Sequence, residues 1–480
     1  MEKGGAKKVF TIVVTLLLLI GLIAVTSSIV FNQEKQKQFY VGVTYCGNSV
    51  QEAKKLVDQV KNYTNLFVLQ SGLLQGDTAA MDEIGDYVVA SNLNYAVHGS
   101  IRDDVGLNNQ LLHRWLICAK EKWGGRFIGI YYGDEPGGKM LDGSVTLENQ
   151  VSQIGGTSQI TPKIIKEEDG TIINQDNETI TIYRPDGTIN FRTFSDFSQV
   201  SVDYHPNGTF DVYEFDFNTG GNTFYNSKNI TKCPLTIQPY EEILKQKPIQ
   251  THDDAAIAFV NVNKNNLERI NKTQLQEKSI LVFTADYGLY WWDYQSGYDV
   301  ILAELGWNHT TAQDIGLVRG AANIQNKSWG TIITWKYTHP PFLTDGKEMF
   351  EQMKTSYQAG AQYVIIFNYS EDREKPNTLQ EEHFQALEHF WNDVVQNSRV
   401  KHGNIKAEAA LVLPQNYGWG MRHPNDKIWD IWPADDTSQT IWNQLQNKLD
   451  THGLKIDIVY EDPNHPVAGR YNNVYYWNGK

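Results

Sequence analysis

The chain has 480 residues, of which 41% are hydrophobic, and it carries a formal net charge of −14 at pH 7. This length allows about two to four domains and a large buried core that needs no disulfide support. The acidic charge argues against a nucleic-acid partner, because phosphate binding needs clustered Lys and Arg and the only basic run here is short and N-terminal.

The first predicted element is an uncharged, apolar segment at residues 9–31. About 20 helical residues span the hydrocarbon core of a bilayer, so this segment is long enough to cross one. Lys3, Lys7 and Lys8 precede it, and the positive-inside rule then keeps residues 1–8 as a cytoplasmic tail. We predict a single-pass signal anchor in the cell membrane, with the bulk of the chain extracytoplasmic. The alternative is a signal peptide cleaved within residues 24–28.

Two further features bear on export. Sequons in exposed loops of an exported chain can carry glycans, which predicts a glycoprotein. The eight sequons are Asn62, Asn177, Asn207, Asn229, Asn271, Asn308, Asn326 and Asn368. The three cysteines, Cys46, Cys118 and Cys233, are far apart and lack metal-ligand spacing. Cys118 falls in a helical pattern, where we expect a buried small hydrophobe.

Strand and helix patterns alternate after a polar stalk at residues 33–38. Apolar strands are predicted at residues 39–45, 65–70, 93–98 and 126–132, with amphipathic helices at 49–61, 79–89 and 111–122. Continuous apolar strands that alternate with amphipathic helices are typical of a parallel sheet covered on both faces.

The pattern changes between residues 143 and 250 into short strands separated by turns. Antiparallel strands are predicted at residues 179–184, 199–204 and 209–217, and Pro185-Asp186-Gly187 is one of the intervening hairpin-type turns. We interpret residues 143–250 as an inserted antiparallel β-domain. Because it follows the fourth strand directly, we expect it to wall or cap the catalytic face; the alternative is a spacer that points away.

The alternation resumes with a helix at residues 252–271. Further strands are predicted at 279–284, 299–305, 330–335 and 362–368, with helices at 311–325, 346–357 and 379–395. Eight strands with eight connections favour a (β/α)8 TIM barrel formed by residues 39–142 and 251–400, although another α/β sheet is possible. Residues 404–480 are predicted to form a small doubly wound α/β module, with strands at 409–413, 455–459 and 473–477.

In such a barrel the active site lies at the C-terminal ends of the strands. These ends are rich in carboxylates and aromatic rings, which suit sugar hydroxyls and the apolar faces of sugars. The catalytic candidates are Glu135, Glu304 and Asp134. The substrate-binding candidates are Tyr45, His98, Arg102, Asp286, Tyr287, Trp292, Trp335, Tyr337, Asn368 and Glu371. We predict neither a metal site nor a cofactor, and we interpret His98 as a pocket wall.

The layout resembles retaining glycoside hydrolases that join a (β/α)8 barrel to a small flavodoxin-like domain, as in one class of bacterial β-galactosidases. The likeness spans residue 39 to the C-terminus and concerns architecture. Those enzymes carry Asn-Glu at the end of strand four and Glu at the end of strand seven. Here the corresponding ends are Asp134-Glu135 and Trp335-Lys336-Tyr337, so their nucleophile does not transfer.

The run Tyr131-Tyr132-Gly133-Asp134-Glu135-Pro136 is also similar to the Asp-Glu pair of hexosaminidase-type barrels. In that family the acetamido group of the substrate is the nucleophile, the Asp orients it, and the Glu is the general acid. The resemblance therefore implies a glycoside hydrolase acting on a carbohydrate substrate. The competing hypothesis is a non-catalytic glycan-binding or envelope protein, since a fold does not fix a function. Another barrel hydrolase or a transferase is a third.

Glu135 is the predicted general acid, because it ends the fourth strand at the mouth of the barrel. The second group stays open. Asp134 fits a substrate-assisted reaction, whereas Glu304 fits either direct displacement or water activation. Their separation from Glu135 discriminates these reactions, since about 5–5.5 Å is typical of a nucleophile and about 6.5–9.5 Å of inversion. On a regular strand Asp134 and Glu135 would point to opposite faces, so both reach the site only if the strand end twists.

Overall fold

The computed structural model describes residues 38–99, 109–143, 163–166, 169–175, 179–194, 198–207, 209–216, 222–226, 249–306, 310–370 and 377–479. Within these ranges no helix combines the length and the apolar character that crossing a bilayer requires. The predicted anchor at residues 9–31 lies outside them, and so do Arg102 and Glu371. These three predictions therefore stay predictions.

The first half of the barrel alternates strands and helices as the sequence predicts. Its elements are β1 (Tyr40–Tyr45), α1 (Val50–Val60), β2 (Leu66–Leu69), α2 (Thr78–Ala90), β3 (Asn94–Gly99), α3 (Asn109–Trp123), β4 (Phe127–Tyr132) and α4 (Pro136–Leu141). Every residue of β2 and β4 is buried, which explains their uninterrupted apolar sequences. Ser49 and Asp77 begin α1 and α2 by accepting hydrogen bonds from backbone N–H groups of the first turn.

The inserted segment forms an antiparallel sheet in which each strand pairs with the next. Its strands are β5 (Lys163–Lys166), β6 (Ile172–Gln175), β7 (Thr179–Tyr183), β8 (Ile189–Phe194), β9 (Ser198–Tyr204), β10 (Phe210–Asp216) and β11 (Asn222–Asn226). Val202, Phe210 and Val212 form a buried cluster on one face of this sheet. The alternation of these apolar residues with polar ones is the period-two pattern expected of a sheet buried on one side.

The second half of the barrel follows. Its elements are α5 (His252–Arg269), α6 (Lys272–Glu277), β12 (Leu281–Asp286), α7 (Tyr290–Ser296), β13 (Val300–Leu305), α8 (Thr311–Ile324), β14 (Ser328–Ile333), α9 (Gly346–Ala359), β15 (Tyr363–Ile366) and α10 (Glu381–Phe390). The parallel strands close in the order β1-β2-β3-β4-β12-β13-β14-β15, and β15 pairs with β1. The (β/α)8 barrel is thus confirmed, and β12 pairs directly with β4 although the insertion separates them in sequence.

The C-terminal part contains β16 (Ala409–Leu413), α11 (Asp436–His452), β17 (Ile456–Tyr460) and β18 (Asn473–Tyr476). The three strands form a parallel sheet in the order β17-β16-β18, which packs its strand β17 against α8 of the barrel. Gly320 permits this approach, because a Cβ atom there would lie only 2.7 Å from the carbonyl oxygen of Ile458. Arg319 then donates to the buried carboxylate of Asp457 at 2.7 Å.

One expectation about side-chain exposure is wrong. Cys118 is exposed, because it lies on the outer face of α3. Asn368 is fully buried and its side chain hydrogen-bonds Asn377 and the backbone of Thr378, so its sequon is not an accessible glycan acceptor in the folded chain. The side chains of four other sequons are exposed, namely Asn62, Asn207, Asn271 and Asn326.

Candidate active site

Three carboxylates meet at the mouth of the barrel. Asp134 and Glu135 directly follow β4, and Glu304 lies near the end of β13, the second strand along from β4. One carboxylate oxygen from each residue lies within 4.8 Å of the others. The C-terminal ends of the barrel strands meet at this mouth, which is where active sites of such barrels lie.

The backbone at the end of β4 explains how neighbouring residues both reach this cluster. Gly133 has a φ of 74° and Glu135 a φ of 51°, so both lie in the left-handed region. Side chains of a regular strand alternate between two faces, and this turn breaks the alternation. Glu135 also donates its backbone N–H to the carbonyl oxygen of Ala285, at 3.0 Å, which attaches the turn to β12.

Asp134 is held as an anion. Tyr131 donates its hydroxyl to Asp134 Oδ1 at 2.5 Å, and Lys139 Nζ lies 2.7 Å from Asp134 Oδ2. Burial acts to raise the pKa of Asp134, but the charge of Lys139 and these two hydrogen bonds outweigh it and lower the pKa. The side chain is still 38% exposed, so it remains accessible to a ligand.

The pKa of Glu135 is shifted in the opposite direction. Burial, followed by the negative charge of Asp134, raises the pKa of Glu135, although Lys139 at 3.3 Å acts against both. Its carboxyl group is within hydrogen-bonding reach of that of Glu304, which is only 4% exposed, and this contact acts to lower the pKa of Glu135. Two carboxyl groups in such contact share a proton, because like charges this close cannot both ionise freely. The pair therefore contains one acid and one carboxylate, which is the combination that glycoside hydrolysis uses.

His98 lies beside this cluster in its neutral form. Burial lowers the pKa of His98 to about 4. Its Nδ1 is 2.9 Å from the amide nitrogen of Gln75, and its ring lies 5.1 Å from that of Tyr131. This arrangement agrees with a pocket wall and gives His98 no carboxylate partner of the kind that metal-ligating histidines use.

The three carboxylates also have the oxygen donors that a hard divalent cation prefers. Asp134, Glu135 and Glu304 could each supply one ligand atom. Lys139 already supplies a positive charge to two of the three, so a cation would compete with its ammonium group. The absence of a metal site therefore stays a prediction.

Aromatic side chains follow β14 and β15 at the same mouth. Trp335 stacks on Tyr369 with ring centroids 5.7 Å apart and an angle of 4° between planes. Its indole N–H donates to the carbonyl oxygen of Tyr369, which fixes the ring. Tyr337 is 40% exposed and lies parallel to His339. Such flat, partly exposed surfaces suit the apolar faces of sugars.

Other predicted substrate contacts are buried and have structural partners instead. Tyr45 is fully buried, and its hydroxyl donates to the backbone oxygen of Ser49, in the cap of α1. Trp292 is fully buried against Trp429 and Tyr460, with ring centroids 4.7 and 4.5 Å away. These residues lack the exposed surface that a sugar contact requires, because the packing of the C-terminal part and the first helix covers them.

Three more predicted contacts are buried as well. Asn368 uses its side-chain oxygen to accept hydrogen bonds from the backbone N–H groups of Thr378 and Leu379. Tyr287 donates its hydroxyl to Asp142 at 2.5 Å. Asp286 is fully buried and accepts hydrogen bonds from four backbone N–H groups, so it faces the protein and not the mouth.

Lys139 is the main site residue that the sequence analysis missed. It belongs to α4, a helix of six residues that is too short to show a periodic pattern. The spacing of four residues between Glu135 and Lys139 is the signal that would have revealed the pair, had a helix been expected there. Tyr131 and Tyr369 were also missed, since nothing in a single sequence indicates which tyrosine hydroxyl meets a carboxylate.

Comparisons with known proteins find distant likenesses among solved structures. No family model and no curated protein matches the chain. Among solved structures, similarity is found to beta-glycosidase BGL167 (9% identity, TM-score 0.35, 75% of this chain and 97% of that one). Similarity is also found to the catalytic domain of beta-amylase from Paenibacillus polymyxa (9% identity, TM-score 0.36, 73% of this chain and 98% of that one). A third similar structure is pyruvate kinase from Cryptosporidium parvum (10% identity, TM-score 0.27, 80% of this chain and 81% of that one).

These likenesses are distant, and they span enzymes of different chemistry. The (β/α)8 barrel itself rests on the strand order of this chain. The reaction and the substrate have to be argued from the side chains at the mouth.

Proposed function

We propose that this chain is a glycoside hydrolase in which Glu135 is the general acid and Glu304 the nucleophile. The observation that carries this proposal is the contact between their carboxyl groups, with the closest oxygens within 4.8 Å. Inverting enzymes need about 6.5–9.5 Å between the two groups to admit a water molecule, whereas retaining enzymes use about 5–5.5 Å. Oxygen atoms this close leave no room for the water molecule that inversion places between the two groups, so the arrangement favours double displacement with retention over water activation by Glu304.

The proposed reaction has two steps. Glu135 gives its proton to the glycosidic oxygen while the Glu304 carboxylate bonds to the anomeric carbon and the leaving group departs as an alcohol. Glu135, now ionised, then takes a proton from water, whose oxygen displaces Glu304 and restores both groups. The anion of Asp134 favours the protonated form of Glu135 before the first step. The stacked Trp335 and Tyr369 would bind the apolar face of the sugar.

The test is a screen of the full chain in detergent on aryl glycosides and polysaccharides, with NMR of the first anomer released. Retention is expected, and inversion would refute the role of Glu304. In Glu135→Gln, cleavage of natural linkages should fall by at least about 100-fold, while 2,4-dinitrophenyl glycosides are affected less in the first step, because their leaving group needs no acid. Glu304→Gln should cleave neither the natural linkages nor the 2,4-dinitrophenyl glycosides. Glu83→Gln, the same change in an exposed surface ion pair, is the matched control.

A substrate-assisted reaction is the mechanistic alternative, with Asp134 orienting an acetamido group. The short distance between Asp134 and Glu135 fits that reaction, but the hydrogen bonds that Asp134 accepts from Tyr131 and Lys139 already use both of its carboxylate oxygens. Hydrolysis confined to N-acetylated sugars, with Glu304→Gln fully active, would favour it.

The second candidate function is glycan binding without catalysis. The ion pair between Glu135 and Lys139 favours it, since an acid held by a cation is a poorer proton donor. Saturable binding of a glycan with no turnover in the wild type, unchanged by Glu135→Gln, would support this function.

We further propose that residues 9–31 anchor the chain in the membrane and that the barrel faces the outside of the cell. Protease added to intact cells should then digest the chain beyond residue 32. A freely secreted protein whose mature N-terminus lies within residues 27–32 would refute the anchor. The insertion at 143–250 follows Glu135 closely, so we propose that it walls the site; deleting it should alter the substrate range more than the stability.

A further inference from the structure

The turn that presents Glu135 is attached to the end of β12 by four hydrogen bonds. Two of them come from Gly137 N and Gly138 N, which donate to Asp286 Oδ2 and Oδ1 at 2.6 and 2.8 Å. The backbone N–H of Glu135 donates to Ala285 at 3.0 Å, and Thr284 donates its hydroxyl to Gly133 at 2.6 Å. The conformation of this turn therefore depends on a neighbouring strand that lies about 150 residues away in sequence.

Asp286 has the partners of a structural anion. It also accepts hydrogen bonds from the backbone N–H groups of Tyr287 and Gly288, at 2.7 and 3.2 Å, and it is fully buried. Four donors aimed at one carboxylate favour its ionised form. With these bonds made, Asp286 presents no oxygen to the mouth of the barrel.

Asp293 lies behind Asp286, on α7, and it is also fully buried. Among the described residues no N–H or O–H group donates to either of its carboxyl oxygens. The neighbouring carboxyl group of Asp286 acts to raise the pKa of Asp293, and a hydrogen bond between the two would satisfy one of these oxygens. Two carboxyl groups can form such a bond only if one carries a proton, and Asp286 already accepts four others.

The proton therefore resides on Asp293. Burial, together with the charge of Asp286, raises the pKa of Asp293 well above its ordinary value. Burial, which its backbone donors oppose only in part, raises the pKa of Asp286 to about 7. A protonated Asp293 would give Asp286 a fifth hydrogen bond. Further titratable groups that interact with this pair are Glu135, Tyr287, Tyr290 and Tyr298.

We propose that Asp286 and the protonated Asp293 form a positioning pair that holds Glu135 in its left-handed conformation, facing Glu304. A residue other than Gly keeps such a conformation only when its surroundings impose it. Here the imposed bonds are those from Gly137 and Gly138 to Asp286, directly after Glu135. This inference deepens the proposed function and rests on it for its catalytic consequence; Asp286, which the sequence nominated as a sugar contact, acts through the backbone.

The test compares conservative and disruptive variants in the full chain. In Asp286→Asn, the side-chain N–H group faces one of the two backbone N–H donors of Gly137 and Gly138, and two donors cannot form a hydrogen bond with each other. The amides of Gly137 and Gly138 should therefore exchange hydrogen at least about tenfold faster. kcat should fall by about 100-fold, with KM little changed, because a misplacement of about 1 Å costs that much. Asp293→Asn still donates to Asp286 and should stay within about threefold of wild type, whereas Asp293→Leu should resemble Asp286→Asn.

Hydrogen exchange separates failure of this inference from failure of the proposed function. If the wild type hydrolyses no glycoside but the amide protection is lost in Asp286→Asn and Asp293→Leu, the positioning role stands and the glycosidase proposal fails. Unchanged protection and kcat in Asp286→Asn would overturn the positioning role. If Asp286→Asn does not fold, the Asp293 variants decide: equal exchange and activity in Asp293→Asn and Asp293→Leu would overturn it.

Discussion

Replacing Lys139 by Met should raise the pKa of Glu135 and shift the pH dependence of the enzyme. The ammonium group lies 3.3 Å from Glu135 and 2.7 Å from Asp134. At an effective dielectric constant of about 20, a charge pair at 3.3 Å interacts by about 5 kcal/mol. The side chains of Lys139 and Glu135 are 37% and 21% exposed, and solvent screening reduces this several-fold. We therefore expect about 1–2 kcal/mol, or about one pKa unit.

The direction of the shift tests the role of Glu135. A general acid must be protonated, so activity is lost as the pH rises through its pKa. Loss of Lys139 favours the protonated form, and the basic limb of the kcat/KM profile should move up by about one unit. Lys139→Arg keeps the charge and should leave the limb in place. An upward shift of the acidic limb instead would mean that Glu135 acts as the carboxylate. An unmoved profile would refute the electrostatic reasoning. NMR titration of the Glu135 carboxyl group gives an independent value of its pKa.

Three further predictions concern stability. The pKa of His98 is about 4 in the folded chain and near 6.5 when unfolded, so protonation of His98 should lower the free energy of unfolding by about 2–3 kcal/mol as the pH falls from 6.5 to 4. In His98→Gln, chemical denaturation should show a smaller decrease of the free energy of unfolding over that pH window. Arg319→Met leaves the buried Asp457 without its cation and should cost about 3–5 kcal/mol, most of which Arg319→Met with Asp457→Asn should recover; equal unfolding midpoints would contradict this. Gly138→Ala should lower the unfolding temperature, since its Cβ would lie 2.2 Å from the Tyr287 ring, whereas Gly72→Ala, which meets nothing within 4 Å, should leave it unchanged.

Local patterns were sufficient for the regular elements of the barrel. β13 was expected at residues 299–305 and forms Val300–Leu305, because a strand buried on both faces has a largely apolar sequence, which Glu304 interrupts here. The short helices α4 and α7 were not predicted, since six or seven residues are too few to show a helical period. The helix expected at 379–395 ends at Phe390 and continues as a π-helical turn, a distinction that the apolar spacing does not encode.

The sequence alone determined which residue types stand at the strand ends, since Asp134, Glu135 and Glu304 follow or end recognisable strands. Only the tertiary structure decided which of them meet. The closure of the barrel places β12 between β4 and β13, and the left-handed turn at Glu135 aims its side chain at Glu304. It also decided that Trp292 is buried, because another part of the chain packs over it. Side-chain direction and burial depend on neighbours that are distant in sequence, and local periodicity carries no information about them.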